Sequence, residues 1–339
     1  MNLRERLTAR IAARGPMSVA DYMTACLHDP DHGYYATRPG LGADGDFITA
    51  PHVSQMFGEL LGLWAAEVWT RLGRPARVRL AELGPGDGTM IGDVLRAART
   101  APGFLEAAEV WLVETSEPLR AAQAAAAPTA RWVRSVAELP TDAPVIILAN
   151  EFLDCLPIRQ WVRGDLDWME RRVGLGSDGA LAFLAGGDVR ESSEALVGLG
   201  QAVGALVTRA SGAALFIDYG RDAPGEGDTL QALRGHAREN PLANPGVADL
   251  TAHVDFPAFL AAAAGAGALA SPIRGQGDFL RALGVETRAA VLVRARPDRA
   301  GVIARQLDRL VAPDQMGVLF KAACVHSPGL APPGLEVAA

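Results

Sequence analysis

Cysteine and lysine are both scarce in this sequence. Its 339 residues include three cysteines, Cys26, Cys155 and Cys324, which are far apart and form no Cys-x-x-Cys or Cys/His pair with metal-ligand spacing. Lysine occurs once, at Lys321. The cysteine pattern argues against a disulfide framework and against a metal site, and we expect free thiols in a reducing compartment.

The chain also lacks a long apolar run and an excess of positive charge. Its alanine-rich segment, residues 258–270, is broken by Gly265 and Gly267 and is shorter than the roughly 20 apolar residues that span a bilayer. The net charge of -7, without a long run of Lys or Arg, argues against binding to nucleic acid. We expect no membrane span and no nucleic-acid partner.

The first 14 residues alternate arginine with apolar residues, as an organelle transit peptide does. They lack the serine richness of such peptides and contain Glu5, which favours an amphipathic first helix. The preference for arginine and alanine over lysine indicates a base-composition bias of the source genome. We therefore expect a bacterial, cytoplasmic protein.

After residue 76, short apolar runs alternate with helical stretches, a pattern typical of an α/β fold with a doubly wound parallel sheet. The predicted strands are Val78–Leu83, Val110–Glu114, Arg131–Val133, Val145–Asn150 and Ala213–Tyr219. The predicted helices between them are Thr89–Arg99, Leu119–Ala126 and Glu191–Ala210.

The flanking segments predict additions to this core. Residues 53–72 have the apolar spacing of a long helix, and residues 160–184 alternate like an antiparallel ribbon that extends the sheet at an edge or near the site mouth. Residues 221–270 are rich in loops, as substrate lids are, and lead into a helix that begins at Asp255. A helix near 302–311 precedes a final strand over 316–325.

These segments divide the chain into four predicted regions. Residues 1–75 form a helical extension and cap, and residues 76–220 form the cofactor-binding core, with the ribbon at about 160–185. Residues 221–285 form an inserted helical lid region. Residues 286–339 supply a C-terminal helix and strands that complete the sheet.

The strongest functional signal is the glycine loop Glu82-Leu83-Gly84-Pro85-Gly86-Asp87-Gly88, which closes the first predicted strand and opens a helix. Its glycines let a ligand approach the main chain closely. The spacing Gly-x-Gly-x-Gly differs from the dinucleotide pattern Gly-x-Gly-x-x-Gly, because position 89 is Thr. Glu82 can accept hydrogen bonds from the ammonium of a ligand with a free amino-acid end. The loop therefore favours S-adenosylmethionine over a nicotinamide or flavin nucleotide, or over a turn without a ligand.

Two further polar segments follow predicted strands. Glu114 ends the second strand, where a carboxylate can bind both ribose hydroxyls. The alternative is a solvated Glu at a strand end that binds no ligand. The segment Asn150-Glu151-Phe152-Leu153-Asp154 follows the fourth strand. Glu151 and Asp154 could grip a guanidinium through paired hydrogen bonds and accept its proton, unless Asp154 only caps the turn before Pro157.

Seven segments, in order along the chain, resemble those of the MidA-like family of class I methyltransferases. They are Gly45-Asp46-Phe47-Ile48-Thr49-Ala50-Pro51, Ser54-Gln55-Met56-Phe57-Gly58-Glu59, the glycine loop, Asn150-Glu151-Phe152-Leu153-Asp154, Ile217-Asp218-Tyr219-Gly220, Asp228-Thr229-Leu230-Gln231-Ala232 and Asp249-Leu250-Thr251-Ala252-His253-Val254-Asp255-Phe256. The resemblance covers roughly residues 15–325. Motifs of this number and order make it specific.

The resemblance implies a seven-stranded Rossmann-like sheet with S-adenosylmethionine as the cofactor and S-adenosylhomocysteine as the product. It places Gly84, Gly86 and Glu114 at the cofactor, and we predict Glu82, Pro85, Gly88 and Asn150 as further cofactor-binding residues. It also implies a reaction centre at Asn150, Glu151 and Asp154, and methylation of an arginine on a partner protein such as a respiratory complex I subunit. One position departs from the family, which usually has Arg where this chain has Asp87.

The segments His32-Gly33-Tyr34-Tyr35 and 45–49, ahead of the sheet, are polar, aromatic and rich in turns. They suit a cap over the adenosine, with Phe47 and Thr49 against the cofactor, or else a structural arm under the long helix. His253, beside Asp255, is either a base or, more commonly for a loop histidine, a hydrogen-bonding residue.

The predicted reaction is in-line attack of a substrate nucleophile on a methyl group, helped mainly by positioning and charge neutralisation. For an arginine substrate, Glu151 would hold and polarise the guanidinium, with Asp154 second. Two other functions fit the same fold. A nucleotide-dependent oxidoreductase is disfavoured by the glycine spacing, and a non-catalytic assembly scaffold is left open by Asp87. The sequence also leaves open whether the chain forms a homodimer.

Overall fold

The computed structural model describes residues 1–37 and 49–336. Its strands, β1 to β18 in chain order, are Met17–Ser18, Val78–Leu83, Ala108–Val113, Arg131–Val133, Val145–Asn150, Arg159–Arg163, Trp168–Glu170, Arg172–Leu175, Leu181–Phe183, Val189–Ser192, Gly212–Arg221, Gln231–Arg234, Ala237–Glu239, Asp249–Thr251, Val254–Asp255, Leu269–Ala270, Arg274–Gly275 and Phe320–His326.

The α-helices, α1 to α14, are Leu3–Arg14, Val19–His28, Tyr34–Thr37, Ala50–Val53, Gln55–Arg71, Thr89–Ala98, Phe104–Ala107, Glu117–Ala126, Glu194–Ala210, Phe256–Gly265, Gln276–Ala282, Val285–Ala295, Ala300–Val311 and Met316–Leu319. Short 3-10 turns lie at Val136–Glu138 and Pro297–Arg299. Within the described residues, no helix is both long and apolar enough to cross a membrane.

The central sheet has the order β16-β18-β11-β5-β2-β3-β4. The five strands from β11 to β4 are parallel, and β18 joins β11 antiparallel. Every residue of β2 and β5 is buried, because helices cover both faces, as in other parallel sheets. This confirms the predicted α/β class. The described residues give this sheet nine strands rather than seven, since β15 and β17, of two residues each, pair beside the main path.

The strand order reverses beside β2. Strands β2, β3 and β4 proceed toward one edge, whereas β5 returns to the other side of β2 and β11 follows it. In open α/β sheets, ligands bind at such a switch point, outside the carboxyl ends of the strands. The glycine loop follows β2 and the segment Asn150–Asp154 follows β5, so the topology brings both predicted motifs to this point.

Three hydrophobic cores support the switch point. One, on the face covered by α5 and α6, contains Phe57, Trp64 and Leu148. The core on the opposite face includes Phe216 and Phe259, which meet edge to face with ring centroids 4.6 Å apart. A third joins α1 and α2 to β8 and to the small sheet β13-β12-β14. This third core holds the N-terminal segment beside the carboxyl ends of the central strands.

The predicted antiparallel ribbon is present, but its place in the fold is different. Strand β6 pairs with β7 and β10, while β8 pairs with β9 and with the N-terminal β1, so residues 159–192 divide between two separate three-stranded sheets. A turn over residues 177–179 joins β8 to β9. The expectation that the ribbon extends the central sheet is wrong, because the fully buried Val173 of β8 packs in the third core.

Other boundaries shift where a polar side chain caps a helix. The helix predicted over 53–72 is interrupted at Ser54, whose hydroxyl accepts the Met56 N–H and begins α5. Similarly, Ser193 caps α9, so residues 189–192 form a strand rather than the start of that helix. At the C-terminal end, residues 316–319 are helical and the final strand begins at Phe320. The four-region division of the chain stays a prediction.

Candidate active site

A cavity of about 550 Å³ opens at the switch point. Its volume lies within the range of small-molecule sites, roughly 300 to 1,000 Å³. The predicted residues that line it are Thr49, Glu82, Gly84, Pro85, Gly86, Glu114, Asn150 and Glu151. Gly88 and Asp154 are not among its lining residues, and Phe47 lies outside the described residues.

Positive backbone angles shape the glycine loop. Gly84 and Gly86 have φ of 61° and 57°, a region that side chains with a Cβ seldom adopt. A Cβ on Gly84 would also lie 2.6 Å from Cδ2 of Phe152, which follows β5. Gly88, with φ of 88°, begins α6 and packs near Ala126. The loop therefore presents bare backbone to the cavity.

Glu82 places a buried carboxyl group at the end of β2. Burial, and secondarily the charge of Asp87, raises its pKa to about 8. Its Oε2 atom is buried and has no hydrogen-bond partner among the described residues. A buried polar atom without a partner is unfavourable, so this oxygen is suited to an N–H donor from a ligand.

Glu114 lies at the end of β3 and is fixed by two donors. Its Oε1 accepts the Ser116 N–H at 2.7 Å and its Oε2 accepts a Gln123 side-chain N–H at 3.1 Å. Gln123 also donates to the carbonyl of Gly86 at 2.8 Å and thus ties this carboxylate to the glycine loop. Burial raises the pKa of Glu114, although both hydrogen bonds favour the ionised form.

Glu151 follows β5 in an uncommon backbone conformation, with φ of 49°. Its Oε1 accepts the Ala50 N–H at 3.1 Å and an Asn150 side-chain N–H at 3.0 Å. Burial, together with the nearby Asp154 charge, raises the pKa of Glu151 to about 7. A carboxyl group with such a pKa can both hold and release a proton near neutral pH. The Oδ1 atom of Asn150 is buried and has no hydrogen-bond partner among the described residues.

Asp154 lies behind this segment rather than in the cavity. Its carboxylate accepts the Tyr219 hydroxyl, and its carbonyl accepts the Ala252 N–H at 2.9 Å. Burial raises its pKa to about 6, opposed by the Tyr219 hydrogen bond. The structure therefore brings Asn150 and Glu151 together with the glycine loop at the cavity, whereas Asp154 lies close behind them and does not line it.

Asp218, in β11, is a site residue that the sequence did not identify. Its Oδ2 accepts the backbone N–H groups of Phe152, Leu153 and Asp154 at 3.0, 2.8 and 3.3 Å. Burial raises its pKa well above the usual range, in spite of these donors. Asp218 thus fixes the turn that aims Glu151. The motif that contains it was visible in the sequence, but the partner of its side chain was not.

Asp87, the position that departs from the family pattern, pairs with His52. The His52 Nε2 lies 2.9 Å from Asp87 Oδ2, and its Nδ1 lies 2.7 Å from the Thr49 hydroxyl. The hydrogen bond to Asp87 raises the pKa of His52. Although burial opposes it, hydrogen bonds from His52 and Thr89 lower the pKa of Asp87. The pair links α4 to the glycine loop across the cavity wall.

His253 lies away from the large cavity. Its backbone N–H donates to the Thr229 hydroxyl at 2.9 Å, and its ring meets the Tyr219 ring edge to face at 5.8 Å. Burial lowers its pKa. The His253 ring therefore lies outside the cavity, and its role as a base or as a hydrogen-bonding side chain stays a prediction. The described residues contain no cluster of His, Cys, Asp or Glu that could hold a metal ion.

The polar groups that line the cavity fit S-adenosylmethionine. Glu82 and Asn150 both leave a buried oxygen without a partner, and the ammonium of that cofactor is an N–H donor. The acidic side chains that line the cavity, Glu82, Asp87, Glu114 and Glu151, suit a ligand that carries positive charge. The glycine loop leaves room for it at the main chain.

Comparisons with known proteins agree with this geometry. Residues 60–197 and 180–272 match a family described as "Putative S-adenosyl-L-methionine-dependent methyltransferase". The chain is 33% identical to "Protein arginine methyltransferase NDUFAF7, mitochondrial" of Danio rerio over 94% of its length and 85% of that protein. The Homo sapiens protein of the same name is also 33% identical, over 93% of this chain and 81% of that one.

A solved structure extends the likeness to the cofactor. A crystal structure from Burkholderia thailandensis with S-adenosyl-homocysteine bound is 28% identical and superposes with a TM-score of 0.83, covering 97% of this chain and 92% of the other. These matches are inconsistent with the nucleotide-dependent oxidoreductase. Together they establish that the chain belongs to this family of S-adenosylmethionine-dependent methyltransferases.

Proposed function

We propose that this methyltransferase modifies an arginine side chain of a partner protein. The observation that carries the proposal is Glu151, a half-buried carboxyl group with a pKa of about 7 that faces the cavity beside the glycine loop. Relatives named as protein arginine methyltransferases, which match nearly the whole chain, support the choice of arginine.

In this proposal, the cofactor supplies a methyl group carried on a positively charged sulfur. Glu82 and Asn150 receive its ammonium group, and Glu114 receives the ribose hydroxyls. Gly84, Pro85, Gly86 and Gly88 form the loop against which it lies. Thr49 acts through His52, and Phe47 stays a proposed cofactor residue.

Glu151 then serves the substrate. Its carboxylate would hold the guanidinium and orient one nitrogen toward the methyl group. As the nitrogen–carbon bond forms and the carbon–sulfur bond breaks, with S-adenosylhomocysteine as the leaving group, the carboxylate would accept the proton that the nitrogen loses. Asn150 and the Ala50 N–H fix the orientation of this carboxylate. Asp154 is proposed to act second, through Tyr219 and the turn held by Asp218, since it lies outside the cavity.

The partner and the setting are part of the proposal. A subunit of respiratory complex I is the proposed substrate, with a role in assembly of that complex, and the bacterial cytoplasm is the proposed compartment. The family resemblance and the arginine-rich, lysine-poor composition support these choices. A homodimer is the proposed oligomeric state to test.

The proposal is tested with purified protein, labelled S-adenosylmethionine and a protein extract of the source organism, with methylarginine identified by mass spectrometry. We expect label on arginine with the wild type and none with Glu151→Gln, which should bind the cofactor normally. Gly86→Val, which places a side chain in the loop, is the control that loses cofactor binding. Methylation of another residue type would refute the arginine assignment, and retained turnover in Glu151→Gln would refute its role.

A further inference from the structure

The cavity has further lining residues besides those already described. Thr115, Leu119 and Arg134, which follow β3 and β4, line it on one side of the switch point. It is also lined by His28 and Tyr35 of the N-terminal segment. The Tyr35 side chain meets the thiol of Cys155, four residues after Glu151, so this end of the cavity lies beside the segment that follows β5.

The end of the cavity beside the segment that follows β5 has an aromatic wall. The rings of His28 and Tyr35 are tilted by 31°, with centroids 5.8 Å apart. The Tyr35 hydroxyl donates to Asp249 Oδ1 at 3.1 Å, which anchors the ring to β14. The third hydrophobic core fixes α2 and so fixes His28 at its last residue.

The charges at this end suit a cation. His28 is exposed as a whole residue, and the partial burial of its ring lowers its pKa, which disfavours the cationic form. Among the described residues that line the cavity, the sole arginine or lysine is Arg134, on the far side of the switch point. Aromatic faces attract cations, and a planar guanidinium stacks on them better than an ammonium does.

We infer that His28 and Tyr35 form the subsite that receives the guanidinium of the substrate arginine, with Glu151 at its inner end. This inference rests on the proposed arginine specificity. The N-terminal segment thereby acts as a substrate-binding element rather than only as a cover for the cofactor.

The test uses Nα-acetyl-arginine methylamide as the probe, titrated into protein saturated with S-adenosylhomocysteine and followed by saturation-transfer NMR. The citrulline counterpart, which has the same shape without the charge, is the matched ligand. We expect binding of the arginine probe and at least tenfold weaker binding of the citrulline probe. Tyr35→Leu should weaken the arginine probe by about tenfold, and Tyr35→Phe, which keeps the ring, by less than about twofold.

Cofactor binding separates the possible failures. If the wild type does not bind S-adenosylhomocysteine, the cofactor assignment fails. If it binds the cofactor product but binds neither probe, or both equally, the proposed arginine specificity fails and the subsite with it. If the wild type prefers the arginine probe and Tyr35→Leu retains both affinities, the subsite alone is refuted. Should Tyr35→Leu fail to fold, His28→Leu decides, with a loss of at least threefold for the arginine probe supporting the subsite and no loss refuting it.

Discussion

Glu82 carries a proton in the cofactor-free enzyme over much of the neutral range, because burial raises its pKa to about 8. A cationic ammonium beside it favours the carboxylate and lowers that pKa. We therefore expect cofactor binding at pH 7 to release a proton, and affinity to rise between about pH 6 and 8. Titration calorimetry in buffers of different ionisation enthalpy measures the release. Glu82→Gln should abolish it, and an unchanged release in that variant would contradict the assignment.

The bond between His52 and Asp87 makes a second prediction at this scale. Both side chains line the cavity, and the pair fixes the glycine loop to α4. At pH 6.5, His52→Ala and Asp87→Asn should each weaken S-adenosylhomocysteine binding by roughly threefold to tenfold, and the double variant no further, since partners in one bond are not additive. Strictly additive losses, measured by calorimetry, would show that the pair does not act as a unit.

How far residues could be predicted from the sequence depended on where their partners lie. Glu82, Glu114 and Glu151 were predictable because each ends a predicted strand, and the carboxyl ends of neighbouring strands meet. His52 lies far from the strands in sequence, and its place depends on the packing of α4, whose Ala50 and Val53 belong to the core on the α5 and α6 face. Tyr35 was expected only as part of a cap segment, and its place depends on the third core, against which it packs. For Asp218, the strand was predicted, but the three backbone donors that it serves come from a turn 64 to 66 residues away.

Helix α9 packs closely against α10 through two glycines. A Cβ on Gly204 would lie 2.3 Å from the carbonyl oxygen of Ala263, and one on Gly200 would lie 2.6 Å from that of Phe259. Gly204→Ala should therefore lower the free energy of unfolding by about 1 to 3 kcal/mol, because backbone atoms must move apart. Urea denaturation measures this change.

Gly198 is the matched control on the same helix. It is exposed, and a Cβ there would meet nothing within 4 Å. Gly198→Ala should stabilise the protein by up to about 1 kcal/mol, since alanine has the higher helix propensity. If both substitutions had the same sign, close packing of the two helices would not be the cause.

At the scale of elements, the sequence predicts strands better than it predicts their partners. Strands β2 and β5 have the predicted bounds, because each is a short, largely apolar run closed by a polar or glycine-bearing turn. The pairing of β8 with β1 joins Val173 to Met17, and alternation within either strand carries no information about such a distant partner. The predicted ribbon was therefore correct locally and wrong in its place.

The whole molecule buries several carboxyl groups at the switch point. Burial raises the pKa of Glu82 to about 8, that of Glu151 to about 7 and that of Asp154 to about 6. In each case the folded state holds its proton at a pH where the unfolded chain has lost it. Stability is therefore lost as pH rises from the unfolded pKa to the folded one.

The histidines limit the pH range in which the loss of stability caused by the carboxyl groups can be observed by itself. Burial lowers the pKa of His28, His253 and His326, so their contribution to stability increases as pH rises toward their usual value near 6.5. That increase opposes the carboxyl groups below this pH. Above it, from about pH 6.5 to 8.5, the decline from Glu82 and Glu151 should prevail, and the raised pKa of His52 acts in the same direction.

We therefore expect the melting temperature of the cofactor-free protein to fall between pH 6.5 and 8.5. The glutamine side chain of Glu82→Gln cannot ionise. The melting temperature of this variant should therefore fall less steeply with pH and, at pH 8.5, lie at least about 2 °C above that of the wild type. Saturating S-adenosylmethionine should reduce the slope of the wild type, because its ammonium pairs with the charged carboxylate. Differential scanning fluorimetry across this range measures both. A wild-type slope that matches that of Glu82→Gln would mean that this carboxyl group ionises normally in the folded protein.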